Sequence, residues 1–411
     1  MSELPIFQAE LGCGLTIIGE QIPNAQSVAA GIFVGAGSRH ENPSESGVSH
    51  FLEHMLFKGT SRRSADDINR EFDELGASFN AYTSEDRTVY YAAVLPNKLP
   101  GILDLLFDMM TPSLREQDFE VERKVILEEI GMYLDRPQFR VFDEASLRYF
   151  SGHPYGNSIL GTSDSIESLT PERMGEYFSA SYRSNRLILA ICGDFVWEEV
   201  LEQINQLTTA WSTKRSDIPE FDKFTPQFGQ HRIIDENIHR VHMATFSPGV
   251  SASDPRRYAA TILGNLVGDS VGSRLYWTLV DNGLADIASL GHSAGVGYGA
   301  YMAYLSCEPE QEEEVKKRFA DVISEITQEG PTEAEWSRVK QKLATGLMLR
   351  METPFGRLMS MGVGYQQLGR HQTLEEVLEG VNNAFLDEGM TLLKDGVFHD
   401  DFSLTLAPTR I

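Results

Sequence analysis

Two histidines four residues apart, in His50-Phe51-Leu52-Glu53-His54, constrain the fold of this chain more than any other stretch. On a helix, residues four apart lie one above the other, so both imidazoles can reach one ion, with Glu53 beside them. Histidine nitrogen is a good zinc ligand, and a carboxylate that does not bind the metal can take a proton from water. The spacing therefore predicts a metal site built on a helix.

The residues around this pair predict a helix that begins at Asn42 and ends at Gly59. Asn42 followed by Pro43 and Glu45 is typical of a helix start, and Gly59 is typical of a helix end. Apolar residues with the 3-4-3 spacing of a buried face are Val48, Phe51, Leu52 and Met55. The residues left to point elsewhere together are His50, Glu53, His54 and Phe57.

A histidine pair on a helix is more often part of the surface or of a satisfied core than of a metal site. Here the pair has the order H-x-x-E-H, the inverted form of the H-E-x-x-H zinc-peptidase signature. A purely structural zinc site is a weaker interpretation, because such sites are closed by four protein ligands.

The length of 411 residues predicts two domains of about 200 residues each. We place the N-terminal domain at 1–211, a polar linker with Pro219, Pro226 and Gly229 at 212–230, and the C-terminal domain at 231–411. The second half repeats the element order of the first without its metal residues, and one helix is expected over 373–387. The sequence thus predicts two related domains, of which only the first has a metal site.

An acidic helix is predicted over about 115–135, after a hairpin formed by 78–83 and 88–95. Glu122 and Glu129 are seven residues apart on this helix, so both carboxylates project from one face. Glu128 is rotated by about 100° from Glu129, and we interpret it as part of a solvated face.

The formal charge of −25 argues against nucleic acid and anionic membrane surfaces as partners. This negative charge suits basic or neutral peptides as partners, although solubility alone is a sufficient reason for it.

No apolar run of about 18 residues and no signal peptide is visible, so we expect no membrane span. The cysteines Cys13, Cys192 and Cys307 are unpatterned, which favours a reducing cytoplasm.

The chain resembles the pitrilysin/insulinase-type zinc peptidases, and most closely their mitochondrial-processing-peptidase-like branch. The stretches that carry the resemblance are His50 to Thr60, Asn80-Ala81-Tyr82-Thr83, Glu122 to Ile130 and Leu160-Gly161-Thr162. The resemblance implies an α+β fold of two related domains, each a mostly antiparallel sheet with helices packed on one side. It implies one zinc ion per chain, bound by His50, His54 and Glu129. It also implies Glu53 as the general base and Glu122 as a residue that supports the site.

The resemblance further implies that the strand with Asn80 and Ala81 pairs with the backbone of the substrate, which would bind as an additional strand of the sheet.

The chain departs from the family in the second domain, where the family carries an arginine and, seven residues later, a tyrosine. Here Asp286 occupies the tyrosine position and the arginine is missing. Because members of this branch work as pairs, we hypothesise a second two-domain chain that supplies the Arg/Tyr pair, or a homodimer.

The function predicted from these residues is a zinc-dependent endopeptidase that hydrolyses extended peptides. The alternative is a non-enzymatic scaffold subunit, because relatives of this fold serve as scaffold in a respiratory complex and Asp286 marks a lost feature. The intact metal set argues against the scaffold interpretation, since a scaffold needs neither three ligands nor a base.

Overall fold

A computed structural model describes residues 4–217, 221, 224–399 and 401–409. The strands are β1 (Ile6–Glu10), β2 (Thr16–Gln21), β3 (Val28–Val34), β4 (Ser78–Thr83), β5 (Thr88–Val94), β6 (Leu187–Gly193), β7 (Gly229–Ile234), β8 (Val241–Pro248), β9 (Ile287–Gly295), β10 (Tyr298–Cys307) and β11 (Phe402–Ala407). The helices are α1 (Val48–Leu56), α2 (Ala65–Glu74), α3 (Leu99–Met109), α4 (Glu116–Leu134), α5 (Pro137–Tyr149), α6 (Ser163–Ser168), α7 (Pro171–Ser181), α8 (Trp197–Leu207), α9 (Arg257–Gly268), α10 (Glu312–Glu329), α11 (Glu333–Arg350), α12 (Pro354–Leu368), α13 (Leu374–Asn382) and α14 (Leu386–Lys394).

The chain forms two compact units, each assembled from three separate segments. The first contains Met1–Gly131, Asn157–Glu220 and Leu349–Gln372, and the second contains the remainder. The helix α5 therefore belongs to the second unit, and α12 belongs to the first. The domain boundaries that we placed at 211 and 231 from the sequence stay a prediction.

The sheet of the first unit has the strand order β1-β2-β6-β3-β5-β4, and only β2 and β6 pair in parallel. The sheet of the second unit has the order β7-β11-β8-β10-β9, with β7 and β11 parallel. Without β1, the two sheets have the same topology. This confirms the predicted fold class of two related, mostly antiparallel α+β domains.

Both faces of the first sheet are covered, which explains the unbroken apolar sequence of β3. Val28, Ala30, Ile32 and Val34 belong to the main core beneath α1 and α3, whereas Ala29 and Phe33 meet Leu358 and Met361 of α12 on the other face. Alternate residues of a strand point to opposite faces, so a strand buried on both sides has no polar positions. Most helices thus pack on one face, and α12 is added on the other.

The second unit has the same arrangement. One face of its sheet forms a core with α9, α10 and α11. On the other face, Val141, Ala145 and Tyr149 of α5 pack against Phe246 and the strand β11. Within the described ranges, every helix is too short or too polar to span a lipid bilayer.

Gly362 sets how closely α12 approaches the sheet, because a Cβ atom there would lie 2.2 Å from the Cζ atom of Phe33. Replacing Gly362 with Ala gains about 0.5–1 kcal/mol of helix propensity but overpacks the contact at a cost of about 1–3 kcal/mol. We expect a net loss of stability, measured as a lower urea midpoint. Gly364→Ala is the matched control, because a Cβ at Gly364 meets no atom within 4 Å and should stabilise the protein. Equal stabilisation by both substitutions would contradict this packing.

Candidate metal centre

The metal helix α1 begins at Val48, later than the sequence predicted. Pro43–Glu45 forms only a short 3₁₀ turn. Gly47, directly before α1, has a left-handed backbone conformation with a φ of +90°, so no helix continues through it. A Cβ at Gly47 would lie 2.4 Å from the carbonyl oxygen of Leu160, so this position requires glycine. The predicted start at Asn42 was therefore wrong.

Glu41 takes the place of a local cap for α1. Its two carboxylate oxygens accept hydrogen bonds from the amides of Gly47 and Ser49, at 2.7 and 2.8 Å. Burial raises the pKa of Glu41 to about 8, although these two hydrogen bonds favour the charged form. The carboxylate satisfies amides that the first turn of a helix leaves unpaired. Sequence reasoning missed it, because it precedes the helix by several residues.

The predicted buried face of α1 is confirmed, and it fixes the second helix of the site. Val48, Phe51, Leu52 and Met55 are at most 1 % exposed. Phe51 stacks on Phe119 of α4, with ring centroids 4.6 Å apart. The buried residues of α4 are Phe119, Glu122, Ile126 and Ile130. This contact therefore sets where α4 presents Glu122 and Glu129 to α1.

His50, His54 and Glu129 converge on one point. The Nε2 atoms of His50 and His54 each lie 3.7 Å from Oε2 of Glu129. One ligand atom from each of the three lies within 4.8 Å of the others, and no other such group occurs among the described residues. Neighbouring donors around a tetrahedral zinc ion, with bonds of about 2.0–2.1 Å, are about 3.3–3.4 Å apart. Two imidazoles and one carboxylate at these separations fit a zinc ion.

The histidines also have the electrostatic environment that a cation needs. Burial and the neighbouring His54 lower the pKa of His50 to about 3, so its ring is neutral and able to bind a metal. Burial also lowers the pKa of His54, but the charges of Glu122, Glu53 and Glu129 outweigh it and raise that pKa. Three carboxylates around one imidazole favour a positive charge at this point.

Glu122 contacts the ring nitrogen of His54 that does not face Glu129. Its Oε1 lies 3.0 Å from Nδ1 of His54, which leaves Nε2 facing Glu129. Its Oε2 lies 2.5 Å from Nζ of Lys58. Burial would raise the pKa of Glu122, but His54 and Lys58 lower it below its usual value. A carboxylate in this position orients the ligand histidine and makes it more basic. Lys58 was not identified from the sequence, although it lies four residues after His54.

Glu53 lies beside these groups and has a partner that the sequence did not suggest. Thr83, at the end of β4, donates a hydrogen bond of 2.7 Å from Oγ1 to Oε2 of Glu53. Burial raises the pKa of Glu53, and repulsion from Glu129 adds to the rise, while Thr83 and His54 lower it in part. A carboxylate with a raised pKa is a suitable proton acceptor near neutral pH. Thr83 comes near Glu53 only through the tertiary fold.

The strand β4 lies at the edge of the first sheet. Among the described strands it is hydrogen-bonded only to β5, with Asn80 opposite Tyr91 and Ala81 opposite Tyr90. Asn80 is exposed, whereas Ala81 is buried. One edge of β4 is therefore available to another strand. That a substrate pairs there stays a prediction.

Asp286, in the second unit, forms an ion pair with Arg240. Its carboxylate contacts Arg240, whose Nη1 lies 2.6 Å from Oε1 of Glu308. An aspartate held in this way cannot replace a tyrosine hydroxyl as a neutral hydrogen-bond donor.

Two family models match most of the chain. The model described as "Insulinase (Peptidase family M16)" matches residues 16–163, and that described as "Peptidase M16 inactive domain" matches residues 168–343. The first covers His50, Glu53, His54, Glu122 and Glu129, and the second covers Asp286.

Relatives match over nearly their full length. The chain is 30 % identical over 396 residues to the uncharacterized zinc protease YmxG of Bacillus subtilis, which covers 96 % of each chain. It is 31 % identical over 394 residues to the uncharacterized zinc protease SCO5738 of Streptomyces coelicolor, covering 93 % of this chain and 85 % of the relative.

Solved structures show the same fold. A protease from Helicobacter pylori superposes with a TM-score of 0.92 at 20 % identity, covering 98 % of this chain and 99 % of the other. An M16-like peptidase from Alicyclobacillus acidocaldarius gives 0.87 at 19 % identity, covering 100 % and 99 %. At these identities the solved structures show only that the fold is shared. The two family models and the relatives of 30 % and 31 % identity also show the family. On that evidence the chain belongs to the insulinase family of peptidases, family M16.

Proposed function

We propose that this chain is a zinc-dependent endopeptidase that hydrolyses extended peptides. The observation that carries the proposal is the convergence of His50 Nε2 and His54 Nε2 on one oxygen of Glu129, at 3.7 Å each. Glu53 lies beside this group and does not belong to it. Three ligands with an adjacent carboxylate form an open site, in contrast to the four ligands of a structural zinc site.

The residues have separate tasks in the proposed reaction. A zinc ion held by His50, His54 and Glu129 would supply a Lewis acid that acidifies water and polarises the peptide carbonyl. Glu53 accepts a proton from the attacking water and later donates it to the amine that leaves. Glu122, itself paired with Lys58, keeps the ring of His54 in one orientation.

We propose that the peptide binds as an added strand beside β4. Main-chain hydrogen bonds to the free edge near Asn80 and Ala81 give affinity that depends little on sequence. Thr83 links the end of this strand to Glu53, because it contacts the carboxylate directly. A peptide aligned with β4 would therefore be aligned with the proposed base.

Asp286 supports a further proposal, that the chain works with a second two-domain chain. In this proposal the partner supplies the Arg/Tyr pair, in a heterodimer of the mitochondrial-processing-peptidase-like type. Purification from the native source tests it. A complex with a chain that carries the pair is expected, whereas self-association alone with full activity would contradict it.

We also propose that the protein is cytoplasmic, because Cys13, Cys192 and Cys307 are free thiols, as is usual in a reducing compartment.

The test of the proposed function combines metal content with turnover of a quenched peptide library by the purified chain. About one zinc per chain and cleavage that a chelator abolishes are expected, either alone or after the partner is added. Zinc binding without cleavage in both conditions would favour the scaffold interpretation. Cleavage that survives complete removal of the metal would overturn the proposal.

Removing the Thr83 hydroxyl tests whether it positions Glu53. Thr83→Val keeps the side-chain volume but removes a hydrogen bond to a charged group, worth about 1.5–3 kcal/mol. We expect kcat to fall by about tenfold or more with zinc content unchanged. Thr83→Ser, which keeps the hydroxyl, should restore most of the rate. An unchanged kcat in the valine variant would show that Glu53 does not need this contact.

A further inference from the structure

Arg186, directly before β6 in the first unit, is a buried cation that no carboxylate of the described chain neutralises. The residue is 8 % exposed. In the part of the chain that the structure describes, it forms no ion pair. Arginine is almost never buried without a partner, because the charge loses its hydration and gains nothing in return. The position therefore lacks a negative charge.

The hydrogen bonds of Arg186 are also incomplete. Its Nη2 donates to the carbonyl oxygen of Gly35, and its own carbonyl oxygen accepts from the amide of Gly35 at 2.8 Å. Its Nε atom is buried and has no hydrogen-bond partner among the described residues. A guanidinium is a donor at every nitrogen and accepts nothing, so the group that satisfies Nε must be an acceptor.

The nearest charged side chain increases the positive charge. Burial lowers the pKa of Arg186, and the charge of Arg39 lowers it further. Burial and the charges of Arg186 and Arg39 also lower the pKa of His40, to about 3, so the ring of His40 is neutral. Two guanidinium groups thus act on the same buried region at the end of β3.

The acidic groups nearby do not neutralise Arg186. The carboxylate of Asp86 lies 2.6 Å from Arg39 and 3.8 Å from Arg87, so it already serves two other arginines. Tyr177 lies close enough to affect Arg186. Burial raises the pKa of Tyr177 well above its usual value, so its hydroxyl stays neutral and cannot act as the counter-ion.

From the buried guanidinium, its unsatisfied Nε–H and the second cation beside it, we infer that Arg186 binds a small inorganic anion of the size of chloride. The low exposure of Arg186 favours a monatomic anion over a phosphate ester or a peptide carboxylate. The site lies at the start of the segment between β3 and α1, the same segment whose Glu41 caps the metal helix. The inference does not depend on the proposed peptidase activity.

Diffraction from crystals of the full chain soaked in sodium bromide tests the position of the anion. Bromide replaces chloride at such sites and is located by its anomalous scattering. We expect an anomalous peak in hydrogen-bond contact with Nε of Arg186. A well-measured data set with no peak beside this atom would overturn the inference.

Urea unfolding of the full chain tests binding in solution. Chloride is replaced stepwise by gluconate at constant total salt, because gluconate is too large for a buried site. A ligand that binds only the folded state multiplies the folding equilibrium constant by 1 + [L]/Kd. We therefore expect the urea midpoint to rise with chloride, and the folding constant to rise by up to about tenfold for each tenfold increase in chloride. A midpoint that is the same in chloride and in gluconate would contradict the inference.

Arg186→Met should abolish this dependence on chloride, whatever it does to the overall stability. Arg183→Met is the matched control, because it removes the same charge from a less buried arginine three residues earlier, and it should keep the dependence. Loss of the dependence in both variants would assign it to net charge. Its survival in Arg186→Met would place the anion elsewhere, and either result would overturn the inference. If Arg186→Met does not fold, the bromide experiment on the unchanged protein decides.

Discussion

Replacing Glu53 with Gln is expected to leave zinc bound and to reduce kcat by about 10²- to 10⁴-fold, the usual contribution of a general base. The amide is nearly the same size as the carboxylate and can still accept the hydrogen bond from Thr83, but it cannot take a proton from water. Steady-state cleavage of a quenched peptide, combined with metal analysis of the same sample, measures both quantities. Glu53 is not one of the three convergent ligands, so its replacement should not affect metal content.

Glu74→Gln is a suitable control for this experiment. Glu74 is exposed on α2, with only a loose contact of 3.6 Å to Arg70, and its replacement should leave kcat unchanged. Near-normal turnover of the Glu53→Gln variant would remove Glu53 from the role of base. Loss of zinc together with activity would instead make it a structural part of the metal centre.

Replacing Glu129 with Gln is expected to weaken zinc binding by more than about a hundredfold. Removal of a residue that only supports a metal ligand already weakens metal affinity by about 10- to 100-fold. Replacement of Glu129 is expected to weaken zinc affinity further, because the Nε2 atoms of both histidines face its Oε2 atom. Competition with a chromophoric chelator measures the affinity. The rise in melting temperature at a given zinc concentration should also be smaller, because the stabilisation of the folded state by a ligand grows as RT ln(1 + [L]/Kd) and falls when Kd rises.

Glu128→Gln is the matched control, because it makes the same change one residue away on α4. Glu128 is exposed and points away from α1, so its replacement should leave zinc affinity within about twofold of the unchanged protein. If the two variants bound zinc equally well, Glu129 would not be a ligand. If both lost zinc, the change would act through the stability of α4.

Sequence reasoning placed the elements of the site correctly where local pattern determines them. The apolar spacing of Val48, Phe51, Leu52 and Met55 identified the buried face of α1, and the seven-residue spacing of Glu122 and Glu129 placed both on one face of α4. Both patterns depend only on helical geometry. The hairpin of β4 and β5 was found in the same way, from β-branched and aromatic runs on either side of a polar turn.

Contacts between distant segments were missed. Thr83 lies thirty residues from Glu53, and Glu41 caps α1 from outside the helix. The helix predicted over 373–387 divides into α13 and α14 at Phe385, whose backbone is extended and whose amide donates a hydrogen bond of 3.1 Å to the carboxylate of Glu388 in the first turn of α14. The strand β7 was not predicted, since Gly-Gln-His-Arg has no apolar alternation, and its backbone pairing to β11 defines it instead.

The placement of α12 in the first unit has a consequence for synthesis on the ribosome. The face of the first sheet that carries Ala29 and Phe33 has no cover until α12 has left the exit tunnel, after most of the chain has been made. A nascent chain that ends near residue 211 would expose these apolar side chains to water, and exposed sheet surface of this kind promotes aggregation. The first unit therefore completes its fold late, and its N-terminal segment alone would be a poor candidate for separate expression.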